Sequence, residues 1–271
     1  MICAIDIGGT KTLLAVFNET GEIIDSLKFA SNNIYSLFLS DLKENITKLS
    51  YKNFEICVIG RPGTITRDGT NATNFGNLLW SNLSLSKDLE EIFKCTVLEE
   101  NDANLAGLSE ASLINNGQGK ILYITISTGI GGGYVINGIL DPNTINAEIG
   151  AILFERDSKI LRWEDIASGK AIVKKYSKKA SEIKDENTWN KIAYDIAIGM
   201  YNSIRILTPD IIVIGGGVGA HFEKFKEPLE HHLQSFKTDL VLPKITKAKH
   251  AEEAVIYGCY RLAHDYIKNR K

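Results

Sequence analysis

The chain has 271 residues and carries 31 basic and 33 acidic side chains, which gives a formal net charge of −2. Hydrophobic residues make up 44% of the chain and charged residues 24%, so it can bury a core without disulfides. A length of 271 residues fits two moderate domains or one large domain. The near-neutral charge argues against a nucleic-acid-binding protein, and no apolar run reaches the roughly 18 residues of a membrane helix.

The cysteine pattern indicates a reducing environment. Cys3, Cys57, Cys95 and Cys259 are widely spaced and form no Cys-x-x-Cys pair. We interpret them as reduced, buried residues that behave as small apolar side chains. The N-terminus lacks the basic segment and apolar run of a signal peptide. A cytoplasmic location is therefore expected.

The first part of the chain predicts alternating strands and helices. Gly8 and Gly9 end the first strand, and a Thr20-Gly21 turn joins the next two. Strands are predicted over residues 1–7, 13–17, 22–29, 54–59 and 96–98, and helices over 35–49, 87–93 and 105–114. This alternation is typical of an α/β fold.

The order of elements then repeats. A strand over 121–127 runs into a glycine-rich loop, an extended segment follows over 134–136, and Asn137-Gly138 predicts a hairpin turn. Strand, glycine-rich loop, strand and turn occur in the same order over 2–21 and 121–138. This order predicts two weakly related halves, with two unrelated hairpins as the alternative.

The remainder of the chain continues the α/β pattern. Its predicted helices cover 164–176, 189–207 and about 252–267, and its predicted strands cover 211–214 and 240–245, with another helix between the two strands. The repeat places the domain boundary near residue 111, with the C-terminal helix returning to the first domain. The predicted domains are therefore 1–111 joined by 252–271, and 112–251.

Three glycine clusters follow predicted buried strands. They are Gly8-Gly9-Thr10-Lys11, Thr128-Gly129-Ile130-Gly131-Gly132-Gly133 and Gly215-Gly216-Gly217-Val218-Gly219. Glycine lets backbone amides approach a phosphate closely, and open α/β sheets bind ligands at the carboxyl ends of their strands. One such cluster is often only a tight turn. Three in one chain predict phosphate binding.

Three acidic positions could carry chemistry. Asp102 lies between a predicted strand and helix, where it could cap the helix or act as the general base of phosphoryl transfer to an alcohol. Glu148 and Glu164 could bind sugar hydroxyls. They could equally be a solvated loop acid and a helix N-terminal acid favoured by the helix dipole.

These motifs together resemble the ROK family of repressors, open reading frames and sugar kinases. The resemblance rests on Asp6-Ile7-Gly8-Gly9-Thr10-Lys11, Glu100-Asn101-Asp102-Ala103-Asn104, Ser127-Thr128-Gly129-Ile130-Gly131-Gly132-Gly133 and Ile214-Gly215-Gly216-Gly217, in family order. It implies a two-domain actin-like ATPase fold, of the ribonuclease H-like type, with ATP and sugar in the interdomain cleft. It also implies ATP and Mg²⁺ as cofactors and a homodimer.

The resemblance implies a role for each motif. Asp102 matches the catalytic base, and Asp6 would help to hold Mg²⁺ through water. The residues implied in cofactor binding are Asp6, Gly8, Gly9, Thr10, Lys11, Thr128, Gly129, Gly216 and Gly217. The residues implied in sugar binding are Gly63, Asn77, Asn101, Asp102, Glu148 and Glu164.

Two departures from the family pattern stand out. Ala151 replaces the histidine that usually follows Glu-x-Gly, which blurs the distinction between glucose and an N-acetylhexosamine. The Cys-rich zinc motif is missing before Glu164, and the segment 154–159 holds no His or Cys. Because structural zinc needs about four N or S ligands, no zinc is expected.

The sequence thus predicts an ATP-dependent kinase for the 6-hydroxyl of a hexose or N-acylhexosamine, with N-acetylmannosamine or glucose favoured by the resemblance. The alternative is a non-catalytic sugar-sensing or regulatory protein, which the loss of the histidine leaves open. A DNA-binding repressor is not expected, because no residues precede the first predicted strand to form its helix-turn-helix.

Overall fold

The computed structural model describes residues 1–65, 75–81, 83–114, 117–236, 241–250 and 253–270. The chain forms two compact units: unit 1 comprises 1–109 with 253–271, and unit 2 comprises 110–252. Each unit contains a five-stranded mixed sheet. In the part of the chain that the structure describes, no helix has both the length and the apolar character needed to cross a bilayer.

The sheet of unit 1 has the strand order β3-β2-β1-β4-β5. Its strands are β1 (Ile2–Ile7), β2 (Lys11–Phe17), β3 (Ile23–Ala30), β4 (Ile56–Arg61) and β5 (Thr96–Asn101). β1 to β3 pair antiparallel, whereas β1, β4 and β5 run parallel, so their carboxyl ends share one edge. β5 extends beyond its predicted end at Leu98, because Glu99 to Asn101 continue the pairing with β4.

Helices cover both faces of this sheet. They are α1 (Tyr35–Lys48), α2 (Leu85–Phe93), α3 (Asp102–Ser112) and α9 (Ala254–Lys268). Alternate β1 residues face opposite sides: Ile5 packs in the core that contains α1 and α2, and Ala4 packs in the core that contains α9. α9 lies against β1 and β4, and Gly258 fits closely because a Cβ there would lie 2.0 Å from the carbonyl oxygen of Leu105.

The sheet of unit 2 repeats this topology, in the order β12-β11-β6-β7-β8. Its strands are β6 (Lys120–Ile126), β7 (Ile130–Ile136), β8 (Ile139–Leu140), β11 (Ile211–Gly215) and β12 (Lys244–Lys247). β6 to β8 pair antiparallel and β6, β11 and β12 run parallel, as β1 to β5 do in unit 1. The predicted repeat of two related halves is therefore confirmed.

The hairpin between β7 and β8 forms as the sequence predicts. Asn137 and Gly138 have φ of 51° and 82°, which are the positive values that a two-residue turn of this kind needs. By contrast, the predicted strand over 240–245 is displaced. β12 begins at Lys244, after Pro243, which has no backbone N–H to donate to a sheet. Residues 237–240 lie outside the described residues, as do 251 and 252 at the predicted start of the last helix.

The helices of unit 2 surround a core that contains Trp163 and Trp189. They are α4 (Trp163–Ala167), α5 (Gly169–Tyr176), α6 (Glu186–Leu207), α7 (Gly216–Gly219) and α8 (Lys226–Ser235). The single helix predicted over 164–176 is wrong, because the chain is extended at Ser168, with φ −74° and ψ 166°. The Ser168 side chain then accepts a hydrogen bond from the Ala171 amide and caps α5.

A second hairpin occupies the segment where the family zinc motif is missing. β9 (Leu153–Arg156) pairs antiparallel with β10 (Lys159–Arg162), through a turn in which Asp157 and Ser158 have positive φ. Its anchor to α5 and α6 is an ionic triad: the carboxylate of Asp195, 4% exposed, lies 2.6 Å from Arg156 Nη2 and 2.8 Å from Lys175 Nζ. The sequence analysis did not predict this hairpin, because its strands are short and alternate weakly.

The cysteines of the chain are free thiols. Cys3, Cys57 and Cys259 are buried and Cys95 is partly buried. Burial raises the pKa of Cys57 and Cys259 well above the ordinary value and that of Cys95 to about 11. The predicted burial of the cysteines is confirmed for the first three.

Candidate active site

The first glycine cluster forms the turn between β1 and β2. The Gly8 amide donates to the carbonyl oxygen of Lys11 at 3.0 Å, and a Cβ on Gly8 would lie 2.9 Å from that oxygen. Thr10 and Lys11 are exposed at this turn. Gly9 lies against Asn77, since a Cβ on Gly9 would lie 3.3 Å from that of Asn77. The structure therefore brings one predicted sugar residue next to a predicted phosphate loop.

Asn101 and Asp102 mark the passage from β5 into α3. The Asn101 side-chain oxygen accepts from the amides of Ala103 and Asn104 at 2.8 and 3.2 Å, so Asn101 is the N-cap. Asp102 is the first helical residue, and its Oδ1 accepts from the Ala103 amide at 2.7 Å. Because Asn101 performs the capping, the Asp102 carboxylate keeps most of its acceptor capacity for another partner.

Burial dominates the electrostatics at this edge. It raises the pKa of Asp102, which the Ala103 amide and the charge of Arg61 partly offset. Burial and the nearby charge of Asp102 raise the pKa of Asp6 to about 7, against the opposing effect of Lys28. The charge of Asp102 thus acts on Asp6 at the carboxyl edge of the sheet in unit 1. Perturbed carboxylates of this kind are typical of functional sites.

The loop after β4 carries Gly63, which has φ of 85°. Asn101 Nδ2 donates to the Gly63 carbonyl oxygen at 3.1 Å, so two predicted sugar residues are in contact. Arg61 Nη1 and Nη2 donate to the carbonyl oxygens of Pro62 and Thr64 at 3.0 and 3.1 Å. No role was predicted for Arg61, although a charged residue at the end of an apolar strand is a signal that could have indicated one.

In unit 2 the loop after β6 lies beside Glu164. A Cβ on Gly129 would lie 2.7 Å from Glu164 Oε2, so this glycine leaves room for the carboxylate. Arg162 Nη1 lies 2.6 Å from Glu164 Oε1. The Ser127 carbonyl oxygen accepts from the Gly169 amide at 2.6 Å, which links the same loop to the start of α5. A predicted phosphate loop and a predicted sugar acid are therefore neighbours.

The third glycine cluster follows β11, which runs parallel to β6, so the second and third clusters share one sheet edge. Gly216 has φ of 80°, and a Cβ there would lie 2.5 Å from the Ile126 carbonyl oxygen. A Cβ on Gly217 would meet nothing within 4 Å. The backbone conformation and the close packing therefore require glycine at position 216. Gly217 instead faces open space that a ligand could occupy.

Glu148 precedes a single 3-10 turn, Ile149–Ala151, of which Ala151 is the last residue. Glu148 is exposed at its N-terminal end, and Ile149 packs beneath β7 against Gly132. Among the residues that the structure describes, no group of three or more His, Cys, Asp or Glu side chains could hold a metal ion. A cation would instead meet the acid pair of Asp6 and Asp102, whose raised pKa values show that burial disfavours their charged forms.

The comparisons with known proteins show the family and the fold. The model of the ROK family matches residues 2–266. An N-acetyl-D-glucosamine kinase of Haemophilus influenzae is 29% identical over an alignment of 304 positions, gaps included, which covers 97% of this chain and 99% of the relative. An N-acetylmannosamine kinase of Vibrio cholerae is 28% identical over an alignment of 280 positions, which covers 94% of this chain and 96% of the relative.

Among solved structures, a ROK family glucokinase from Streptomyces griseus in complex with glucose and AMPPNP matches with a TM-score of 0.82. It is 22% identical, and the match covers 97% of this chain and 99% of the glucokinase. This likeness shows the two-domain actin-like ATPase fold. With a family match over residues 2–266, the chain is a member of the ROK family.

Proposed function

We propose that the protein transfers the γ-phosphoryl group of ATP to the 6-hydroxyl of a hexose or N-acylhexosamine. The proposal rests on Asp102, a mostly buried carboxylate at the N-terminus of α3. Asn101 caps this helix, so the Asp102 carboxylate can accept a proton from a substrate. Its raised pKa moves it towards the range in which a carboxylate is an effective general base near neutral pH.

In the proposed reaction the sugar hydroxyl gives its proton to Asp102 while its oxygen attacks the γ-phosphorus. The bond between the γ-phosphorus and the bridging oxygen breaks, and ADP leaves with the electron pair. Arg61 lies near enough that its charge lowers the pKa of Asp102 and so opposes the effect of burial.

The proposed phosphate contacts are the turn of unit 1 and the loops of unit 2. In unit 1, Lys11 and the amides near Gly8 and Gly9 would face phosphate oxygens, with Thr10 beside them. In unit 2, Thr128 and Gly129 would border the phosphates, and the open space at Gly217, next to Gly216, would take the adenosine. These local groups must bind the anion, since the chain has a net charge of −2.

Asp6 fits a magnesium site, because a buried carboxylate whose own charge is unfavourable gains from a neighbouring cation. We propose that Asp6 holds Mg²⁺ through water. When bound, Mg²⁺ would neutralise negative charge that develops on the phosphates. Asp102 lies close enough to Asp6 for its charge to act on it, so the base and the metal residue lie at one edge.

For the sugar we propose N-acetylmannosamine or glucose, bound by Gly63, Asn77, Asn101, Glu148 and Glu164. The contacts of Gly63 with Asn101 and the approach of Glu164 to Gly129 support this assignment. The names of the two relatives, an N-acetylmannosamine kinase and an N-acetyl-D-glucosamine kinase, support the N-acylhexosamine class. The glucokinase fold match supports only the architecture.

A coupled ADP-release assay with ATP and Mg²⁺ against a panel of hexoses and N-acylhexosamines tests the proposal. At least one sugar should raise ADP release far above the sugar-free rate, and its 6-deoxy analogue should bind without turnover. The competing function is a sugar sensor, which the replacement of the family histidine by Ala151 leaves open. Sugars that raise the melting temperature without stimulating ADP release would contradict the kinase and support the sensor.

We also propose a cytoplasmic homodimer that binds neither nucleic acid nor membrane and contains no structural zinc. The charge of −2 supports the expectation that the protein does not bind nucleic acid, and the absence of His and Cys from the segment 154–159 supports the expectation of no zinc. Sedimentation velocity at micromolar protein concentration tests the dimer, for which a monomer under assay conditions would be the contrary result.

A further inference from the structure

Arg61 is a fully buried cation at the end of β4. It is 0% exposed, although arginine is among the residues least often buried. Its Nε lies 2.5 Å from Oε1 of Glu99, whose side chain is 11% exposed. The guanidinium also lies over the ring of Phe75, 4.6 Å from its centre. Arg61 and Glu99 therefore form a buried ion pair between adjacent strands, at positions that apolar residues could fill.

The two terminal nitrogens of Arg61 bind the loop that follows it. Nη1 donates to the Pro62 carbonyl oxygen at 3.0 Å, and Nη2 donates to that of Thr64 at 3.1 Å. Asn101 donates to the carbonyl oxygen between them, that of Gly63, at 3.1 Å. Three consecutive carbonyl groups are thus fixed by side chains from the ends of two adjacent strands.

The chemistry of arginine suits this task and that of lysine does not. A guanidinium presents five donors in a planar fork, so one side chain can reach Glu99, Pro62 and Thr64 simultaneously. A lysine ammonium is a compact charge on a flexible stem and cannot span these acceptors. Since buried ion pairs can often be replaced by apolar residues without loss of stability, strand packing alone does not require Arg61.

We propose that Arg61 is a positioning residue of the sugar site: it holds the loop of Pro62, Gly63 and Thr64 in the conformation that receives the sugar, with Glu99 fixing its guanidinium. This inference rests on the proposed function of Gly63 and Asn101. The contacts of Arg61 with the loop would make it act on the sugar through the geometry of that loop.

The test compares Arg61→Met, Arg61→Lys, the double variant Arg61→Met/Glu99→Leu, and the control Glu99→Gln. The double variant removes both buried charges, so it separates loop positioning from the penalty of an unpaired ion. Glu99→Gln keeps an acceptor oxygen for Nε and leaves both loop contacts of Arg61 intact. Arg61→Lys keeps the charge and serves if the methionine variants do not fold.

The measurements are the KM for sugar, the KM for ATP, kcat, and amide hydrogen exchange of residues 63–65. We expect the sugar KM to rise by at least about tenfold in the three Arg61 variants, which is the loss of about one or two loop hydrogen bonds. The ATP KM should change by less than about twofold, since those contacts lie elsewhere. Loop exchange should accelerate in the Arg61 variants, and Glu99→Gln, which keeps both loop contacts of Arg61, should raise the sugar KM by less than they do.

A folded double variant with the wild-type sugar KM and unchanged loop exchange would overturn the assignment of Arg61. A wild-type protein that phosphorylates no sugar would instead overturn the proposed function. In that case the exchange measurement still decides whether Arg61 holds the loop, so the two failures are distinguishable.

Discussion

The charge of Asp102 raises the pKa of Asp6, although 95 residues separate the two acids in the chain. They are neighbours because β1 and β5 run parallel on either side of β4, so Asp6 near the end of one strand and Asp102 just after the other share an edge. Burial disfavours the charged forms of both carboxylates. A cation beside Asp6 would therefore be favourable, and Asp102 would readily accept a proton.

Replacement of Asp102 by Asn should remove the general base while keeping the shape of the side chain. We expect a loss of at least about 10²-fold in kcat, with sugar binding retained. Steady-state kinetics with calorimetric measurement of sugar affinity checks both parts. Asp185→Asn is the matched control, because Asp185 caps helix α6 in unit 2. Turnover close to that of the wild type in Asp102→Asn would remove Asp102 as the base.

Asp6→Asn should stabilise the metal-free protein at neutral and alkaline pH. The folded protein holds the Asp6 proton up to a pKa of about 7, whereas the unfolded chain loses it near 3.8. The wild type therefore loses stability as pH rises from about 4 to 7, and the Asn variant does not. Urea unfolding with a chelator present should show no difference near pH 4 and about 4 kcal/mol in favour of the variant above pH 7.

Added Mg²⁺ provides the counterpart to this experiment. It should recover stability in the wild type at pH 8 and have less effect on Asp6→Asn, because the variant lacks the carboxylate charge. A stability difference between the two proteins that does not vary with pH would contradict the raised pKa of Asp6.

Gly216 and Gly217 are adjacent but should respond differently to alanine. Gly216→Ala introduces a side chain at φ of 80° and against the Ile126 carbonyl, which should cost at least about 2 kcal/mol of unfolding free energy. Gly217→Ala meets nothing within 4 Å and should be stable to within about 1 kcal/mol.

The KM for ATP completes this comparison. In Gly217→Ala it should rise by several-fold without loss of stability, because the new methyl group enters the space proposed for adenosine. Unfolding curves and ATP kinetics on the same preparations provide the check. Equal destabilisation of both variants would show that Gly217 is constrained by the fold.

Much of the candidate site could be predicted because its residues follow strands. A buried strand that ends in glycine or in Asn101-Asp102 is visible in the sequence, and parallel pairing then gathers such ends at one edge. Arg61 could not be predicted in the same way. Its partners are carbonyl oxygens and Glu99, so its role depends on the register between β4 and β5, which no local pattern specifies.

The ionic triad at Asp195 should stabilise the hairpin of β9 and β10. Arg156→Met leaves a carboxylate that is 4% exposed with Lys175 alone, and we expect a cost of about 1–2 kcal/mol. Lys175→Met should cost less, since the lysine side chain is 45% exposed and its charge is better hydrated. Chemical denaturation of both variants measures the unfolding free energy that each substitution costs. A larger cost for Lys175→Met than for Arg156→Met would contradict the expectation.

Purified protein should contain less than about 0.1 zinc per chain, because the hairpin segment supplies none of the ligands that zinc requires. A zinc-selective chelator should leave the melting temperature unchanged. Elemental analysis after purification without added metal gives the result directly. Stoichiometric zinc would contradict the expectation.

The fold shows the same division between what is local and what is not. The repeated strand order and the Asn137-Gly138 turn were predictable because periodicity and turn chemistry are local signals. The break at Ser168 was not, since the apolar spacing over 164–176 continues through it. Its cause is the hydrogen bond from the Gly169 amide to Ser127, which is 42 positions away in sequence.

The return of α9 to unit 1 has a consequence for synthesis of the protein. A ribosome releases β1 to β5 long before it makes α9, which supplies Ile256 and Cys259 to the core beside Ala4. Until then, one apolar face of the first sheet lacks its covering helix, while unit 2 is continuous and can complete its core earlier. The nascent first unit is therefore the part of the chain that a chaperone would engage longest.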